Sequence, residues 1–215
     1  MGLQSIFNSQ NSVEAMTRQL KLNPDRLFPA DPAIRAIARS LYEEVAGLPI
    51  VSPHGHTDPS WFAADANWTN ATELLLAPDH YLYRMLYSQG IPLERLGVPS
   101  RQGASPADPR EAWRLFASHY YLFRGTPSRM WLDHVFSTVF GLEVALEAST
   151  ADHYFDTINE ALATPAFKPR ALFDRFRIEL LATTEGPQED LVHHAAIRAG
   201  ASPPFRCDRP ARSRR

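Results

Sequence analysis

The feature that most constrains this chain is the distance between its two strand-like runs. Leu48-Pro49-Ile50-Val51-Ser52-Pro53-His54 and Ile178-Glu179-Leu180-Leu181-Ala182-Thr183-Thr184 are short and apolar, and both end in polar residues. Runs this brief that contain β-branched residues read as buried strands. More than a hundred residues of mostly helical pattern lie between them. The order strand, long helical stretch, strand, helix implies parallel pairing, because parallel neighbours require a crossover. Two strands alone do not make a stable sheet with both faces covered. The expected fold is therefore the opening part of a larger α/β arrangement.

The helical pieces can be placed from periodicity and punctuation. Asp31 is a suitable N-cap and Pro32 occupies the first helical position, where its missing N–H costs nothing. Ile34, Ile37, Leu41 and Val45 then recur at helical spacing, with Gly47 as a stop, which predicts a helix with one buried face. Thr69–Leu76, Asp79–Gln89, Glu111–Arg124, Ser128–Phe140, Ala151–Ala163 and Pro169–Phe176 read as helices before the second strand. Pro187–Gly200 reads as one after it. Proline and glycine clusters at Gly97–Pro109 and Gly125–Pro127 separate some of them. No internal repeat is visible.

Composition matters mainly for what it excludes. Hydrophobic residues are 44% of the chain and charged residues 21%, enough apolar material for a packed core. A net charge of −2 makes no electrostatic case for nucleic acid or an anionic membrane as partner. The single cysteine, Cys207, excludes an intrachain disulfide and fits a reducing cytosol. No secretory signal and no apolar run of spanning length is visible, so the expectation is a cytoplasmic protein.

Several segments carry groups capable of chemistry. His54-Gly55-His56 directly follows the first strand, and in extended backbone residues i and i+2 point to the same side. Both imidazoles can then face one divalent ion, with the glycine leaving room for it. Two loop histidines without a metal fit the same letters. Asp58 is either a ligand, a partner orienting His56, or the start of a turn. In Asp79-His80-Tyr81-Leu82-Tyr83-Arg84, His80 and Tyr81 could move protons and Arg84 could pair with a carboxylate; an ordinary capped helix start has the same form. Thr183-Thr184-Glu185-Gly186 ends the second strand and reads by itself as a polar strand-to-helix turn. Trp131 and His134, one turn apart, read as core, and His193 and His194 as exposed helix positions. Serine nucleophile elbows, P-loops and dinucleotide glycine patterns are missing.

Together these segments resemble the uronate isomerase (glucuronate isomerase) family of the amidohydrolase superfamily. The resemblance runs from Asn23-Pro24-Asp25-Arg26-Leu27-Phe28-Pro29 through His54-Gly55-His56, Thr72-Glu73-Leu74, Asp79-His80-Tyr81 with Arg84, and Trp131 with His134. It continues in Ala182-Thr183-Thr184-Glu185-Gly186-Pro187 and Asp190-Leu191 to His193-His194. It implies an incomplete (β/α)8 (TIM) barrel of the metal-dependent hydrolase type, with a large helical insertion after the first strand. It further implies conversion of D-glucuronate to D-fructuronate and of D-galacturonate to D-tagaturonate, with a uronate as small-molecule partner. By the same resemblance His54 and His56 are the metal pair, for zinc or manganese, and no other cofactor is expected. His80, Tyr81 and Arg84 are the substrate-binding residues, with His80 or Tyr81 catalytic. Oligomerisation of intact members is compatible with it.

The departures are Glu185-Gly186 where the family commonly has two acidic residues, Thr57 where it has leucine, and Tyr83 where it has tryptophan. The likeness is expected to end near residue 198, so residues 1–198 form the N-terminal part of the barrel, with the insertion over about 60–176. Residues 199–215 form an arginine-rich tail, with five arginines in the last ten positions, read as an out-of-frame end or a basic tail. The family's later substrate arginine and metal aspartate then have no counterpart, and a chain without them should be inactive. Two other readings compete: a metal-dependent hydrolase sharing the histidine pair, and a non-catalytic helical module.

Overall fold

A computed structural model describes residues 18–98 and 107–200. The readings that concern the first 17 residues, the middle of the Gly97–Pro109 cluster and the tail from residue 201 lie outside those described. The sheet is a parallel pair, β1 (Ile50–Ser52) and β2 (Ile178–Leu181), with Ile50 opposite Ile178 and Ser52 opposite Leu181. The predicted strands and their parallel pairing are thus present, each shorter than its apolar run.

The main core lies elsewhere. It is built within the stretch between the strands, from α3 (His80–Tyr87), α4 (Pro109–Ser118), α5 (Pro127–His134) and α6 (Ala151–Leu162), with shorter turns at Thr72–Leu76, Leu93–Leu96, Tyr120–Phe123 and Val135–Val139. Trp113, Phe116, Tyr120, Phe123, Phe136 and Tyr154 are all fully buried there. The rings meet edge to face, as the ring quadrupole favours, with Phe136 and Tyr154 centroids 5.0 Å apart. Polar tips are satisfied: the Trp113 indole donates to the Ala151 carbonyl at 3.1 Å and the Tyr154 hydroxyl to the Val144 carbonyl at 2.6 Å.

Tyr120 shows how a polar group is accommodated. Its hydroxyl donates to Asp133 at 2.9 Å, Arg129 donates to the other carboxylate oxygen at 2.8 Å, and the guanidinium lies 3.9 Å from the Tyr120 ring centroid. Burial, followed by the Asp133 charge, pushes the phenol far above its usual range, so it stays a donor. On the solvent side Arg110 and Arg114 of α4 pair with Asp152 of α6. Arg110 also reaches Asp156. Hydrogen bonds from these arginines hold both carboxyls below the usual carboxylate range.

Caps follow the sequence reading in α1 (Pro32–Val45), where the Asp31 carboxylate accepts from the Ala33 and Ile34 amides. Asp79 caps α3 in the same way. Asp58 is the N-cap of a helix the periodicity did not reveal, α2 (Pro59–Ala64), and accepts from the Ser60 amide at 2.8 Å.

Two expectations fail. The apolar face of α1 is not buried: Ile34, Ile37, Leu41 and Val45 are all more than half exposed, because no described element packs against that face. The β1 strand is likewise open, with Ile50 and Val51 exposed, since β2 pairs with one edge and no described element covers those side chains. A small second cluster of Phe62, Phe173 and Ile197, with Ile178 and Leu181 against it, joins α2, α7 (Pro169–Arg175) and α8 (Val192–Gly200) to β2. Leu191, in the left-handed region at φ 57°, turns the chain into α8, so that helix begins later than predicted. Among the described residues no helix is long and apolar enough to cross a membrane.

Candidate active site

Because β1 and β2 run parallel, their C-terminal ends lie side by side, and each is followed by a polar segment. The pairing continues one step beyond the strands, where the Ala182 amide donates to the Ser52 carbonyl at 2.8 Å. The His54-Gly55-His56 loop and the Thr183-Thr184-Glu185 segment are therefore neighbours by construction.

The His54 and His56 rings are 5.0 Å apart, centroid to centroid, and nearly perpendicular. Both residues are exposed. The loop carrying them is pinned from β2. The Thr184 hydroxyl donates to the Gly55 carbonyl at 2.8 Å, and a Cβ on Gly55 would sit 3.2 Å from the Ala182 carbonyl oxygen. A backbone this close favours glycine on space alone.

Alternation along 183–185 sends Thr183 and Glu185 to the other side, against α8. There the Thr183 hydroxyl lies 2.9 Å from His194 Nε2, and Glu185 Oε1 lies 3.2 Å from the same nitrogen. The side chains of Glu185 and His194 are each 6% exposed. Neither Glu185 oxygen nor His194 Nδ1 has a hydrogen bond among the described residues. His194 is thus buried, correcting the expectation of an exposed helix position. Its place follows from α8 packing on α2 and β2 through Ile197. The sequence reading missed this trio. The i, i+2 spacing of Thr183 and Glu185 was its only signal.

Two imidazoles on one loop supply two nitrogen donors of the kind that zinc takes. Among the described residues no group of three His, Cys, Asp or Glu is placed to hold an ion. The donor chemistry fits a divalent metal, and the donor count is partial.

This pairing of an H-x-H loop with a Thr-Thr-Glu strand end sits in a chain whose residues 33–212 match the family model described as glucuronate isomerase. The chain belongs to the glucuronate isomerase family. The match runs past residue 198 into the arginine-rich stretch. The uronate isomerase of Phenylobacterium zucineum is 71% identical over 184 residues, covering 86% of this chain and 38% of that protein. The uronate isomerase of Xanthomonas campestris is 64% identical, over 85% of this chain and 39% of its own length. The crystal structure of glucuronate isomerase from Caulobacter crescentus superposes with a TM-score of 0.82 at 68% identity, covering 85% of this chain and 38% of that one. That of uronate isomerase from Thermotoga maritima gives 0.67 at 25% identity, covering 77% and 35%. The chain thus spans about 38% of the length of the glucuronate isomerase relatives it matches.

The other sequence-derived site residues of this glucuronate isomerase family member lie on α3, in the helical layer. His80 and Tyr81 are exposed, with ring centroids 4.1 Å apart, and Arg84 is exposed one turn on. Among the described residues no hydrogen bond or ring contact links His80 or Tyr81 to His54 or His56. Trp131 and His134 are not core. Both are exposed, and His134 Nδ1 lies 3.0 Å from the Arg26 guanidinium, because α5 turns Leu132 inward instead.

Proposed function

We propose that this chain carries the first-strand portion of a uronate isomerase active site and acts on D-glucuronate and D-galacturonate when the rest of a barrel is supplied. The observation that carries the reading is the adjacent His54 and His56 rings at the end of β1, in a chain 68% identical to a glucuronate isomerase of known structure. In this reading residues 1–198 are the N-terminal part of a (β/α)8 barrel, about 60–176 its helical insertion, and 199–215 a tail. The open faces of α1 and β1 support it, since in a barrel both faces of a strand are covered and each helix lays its apolar face on neighbouring elements. The single cysteine suits a cytoplasmic setting.

His54 and His56 would hold a divalent ion, which when bound polarises the sugar carbonyl. Arg84 would pair with the substrate carboxylate, its guanidinium being free of ion pairs among the described residues. The isomerisation moves a proton from C2 to C1 of the acyclic sugar acid through an enediol, while a hydroxyl proton shifts between the two oxygens. His80 or Tyr81 would carry the transfer, both being exposed and within reach of one another. A second reading, a non-catalytic helical module, is favoured by one observation: the main core closes entirely outside the strands.

The test is complementation. The 215-residue chain is assayed with D-glucuronate and zinc or manganese, alone and mixed with the remaining part of the Caulobacter crescentus glucuronate isomerase. No turnover is expected alone. Turnover is expected in the mixture, and its loss in His54→Ala or His56→Ala. Full turnover by the chain alone, or turnover indifferent to both histidines, would place the site elsewhere.

A further inference from the structure

The polar end of β2 has no role in the reading above. Three features of it point one way. The Thr184 hydroxyl grips the Gly55 carbonyl, the peptide that separates the two histidines, at 2.8 Å. Thr184 is itself exposed, so this contact is not part of a core. Its neighbours on either side, Thr183 and Glu185, are locked against the buried His194 of α8. The hydroxyl is therefore presented from an anchored segment across to the histidine loop, whose other side-chain hydrogen bond among the described residues is local, from the Ser52 hydroxyl to the His54 carbonyl at 3.2 Å.

We propose that Thr184 is a positioning residue for the His54–His56 pair, acting through the Gly55 carbonyl. The proposal rests on the reading of those histidines as metal donors. The orientation of the Gly55 peptide sets the directions in which the two flanking side chains leave the backbone. A hydrogen bond from a fixed partner narrows that orientation before an ion arrives. Partners that orient ligating groups typically change metal affinity about 10- to 100-fold when removed. Because Thr184 acts through backbone, not through an imidazole nitrogen, the lower end of that range is expected, about tenfold.

The experiment titrates the full 215-residue chain with cobalt(II), read by visible absorption, alongside His54→Ala, Thr184→Val and Thr184→Ser. Circular dichroism checks the fold of each. The unaltered chain should bind, and His54→Ala should not. Thr184→Val, which keeps the shape and loses the hydroxyl, should bind about tenfold more weakly, and Thr184→Ser should bind like the unaltered chain. In metal-free histidine-ring NMR spectra, Thr184→Val should move the His54 and His56 signals and leave those of His194 in place. A merely structural role would move all three. Binding by Thr184→Val within about twofold of the original, with His54→Ala inactive, overturns the positioning role and leaves the metal reading intact. Equal binding by His54→Ala, or no binding by the unaltered chain, overturns both. If Thr184→Val does not fold, Thr184→Ser decides: a tenfold loss there would show that the methyl group, not the hydroxyl, matters.

Discussion

At the scale of single residues, the most consequential side chain is Glu185. A carboxylate with a side chain 6% exposed and no hydrogen bond among the described residues bears a desolvation cost that the 3.2 Å approach of His194 only partly offsets. Replacing the carboxylate by its neutral isostere removes that cost. Glu185→Gln should therefore fold as stably as the original or more so. His194→Ala removes the imidazole that approaches Glu185 and leaves the carboxylate buried, which should cost about 3–5 kcal/mol. Urea denaturation of the two variants separates the cases, and equal losses in both would mean the pair is not an isolated buried contact. The sequence exposed the site only in part at this scale. That His54 and His56 bring two rings close together, 5.0 Å apart, was legible from their two-residue spacing at a strand end. His194 was not, because its burial depends on α2 and β2 meeting α8, and nothing in Val192-His193-His194-Ala195 says which helix face is covered.

At the scale of elements, periodicity predicted which residues share a face but not whether a partner covers it. In α4 the apolar face packs into the aromatic core, and Trp113 is fully buried. In α1 an equally regular face carries Leu41 at 67% exposure. The two helices should respond oppositely to truncation of that face. Trp113→Ala should cost about 3–5 kcal/mol, whereas Leu41→Gln should stay within about 0.5 kcal/mol of the original. Chemical denaturation of both variants reads this directly. A Leu41→Gln cost near that of Trp113→Ala would show that the α1 face packs against something in solution. Asp58 belongs to the same lesson. Its N-cap role in α2 was hidden because Trp61 and Phe62 sit in a helix too short to show a period.

At the scale of the whole molecule, stability is unevenly placed. The helical layer has a continuous core from Ala71 to Leu162, while the sheet is two short strands over a cluster of three buried residues. Hydrogen exchange should therefore find the amides of α4 and α6 protected longest and those of β1 and β2 opening first. Sheet amides that outlast the one at Trp113 would overturn this division. What the sequence determined by itself was local: caps at Asp31 and Asp79, the parallel order of two strands, the helical stretch between them, and the nearness of the His54 and His56 rings. Each follows from backbone geometry and short spacings. Only the tertiary structure decided that the core closes within the helical stretch, that α1 stands uncovered, and that Thr184 grips Gly55 while Thr183 and Glu185 turn to His194. Those outcomes depend on which surfaces meet across more than a hundred residues of chain, and burial is a property of the meeting surfaces, not of either segment alone.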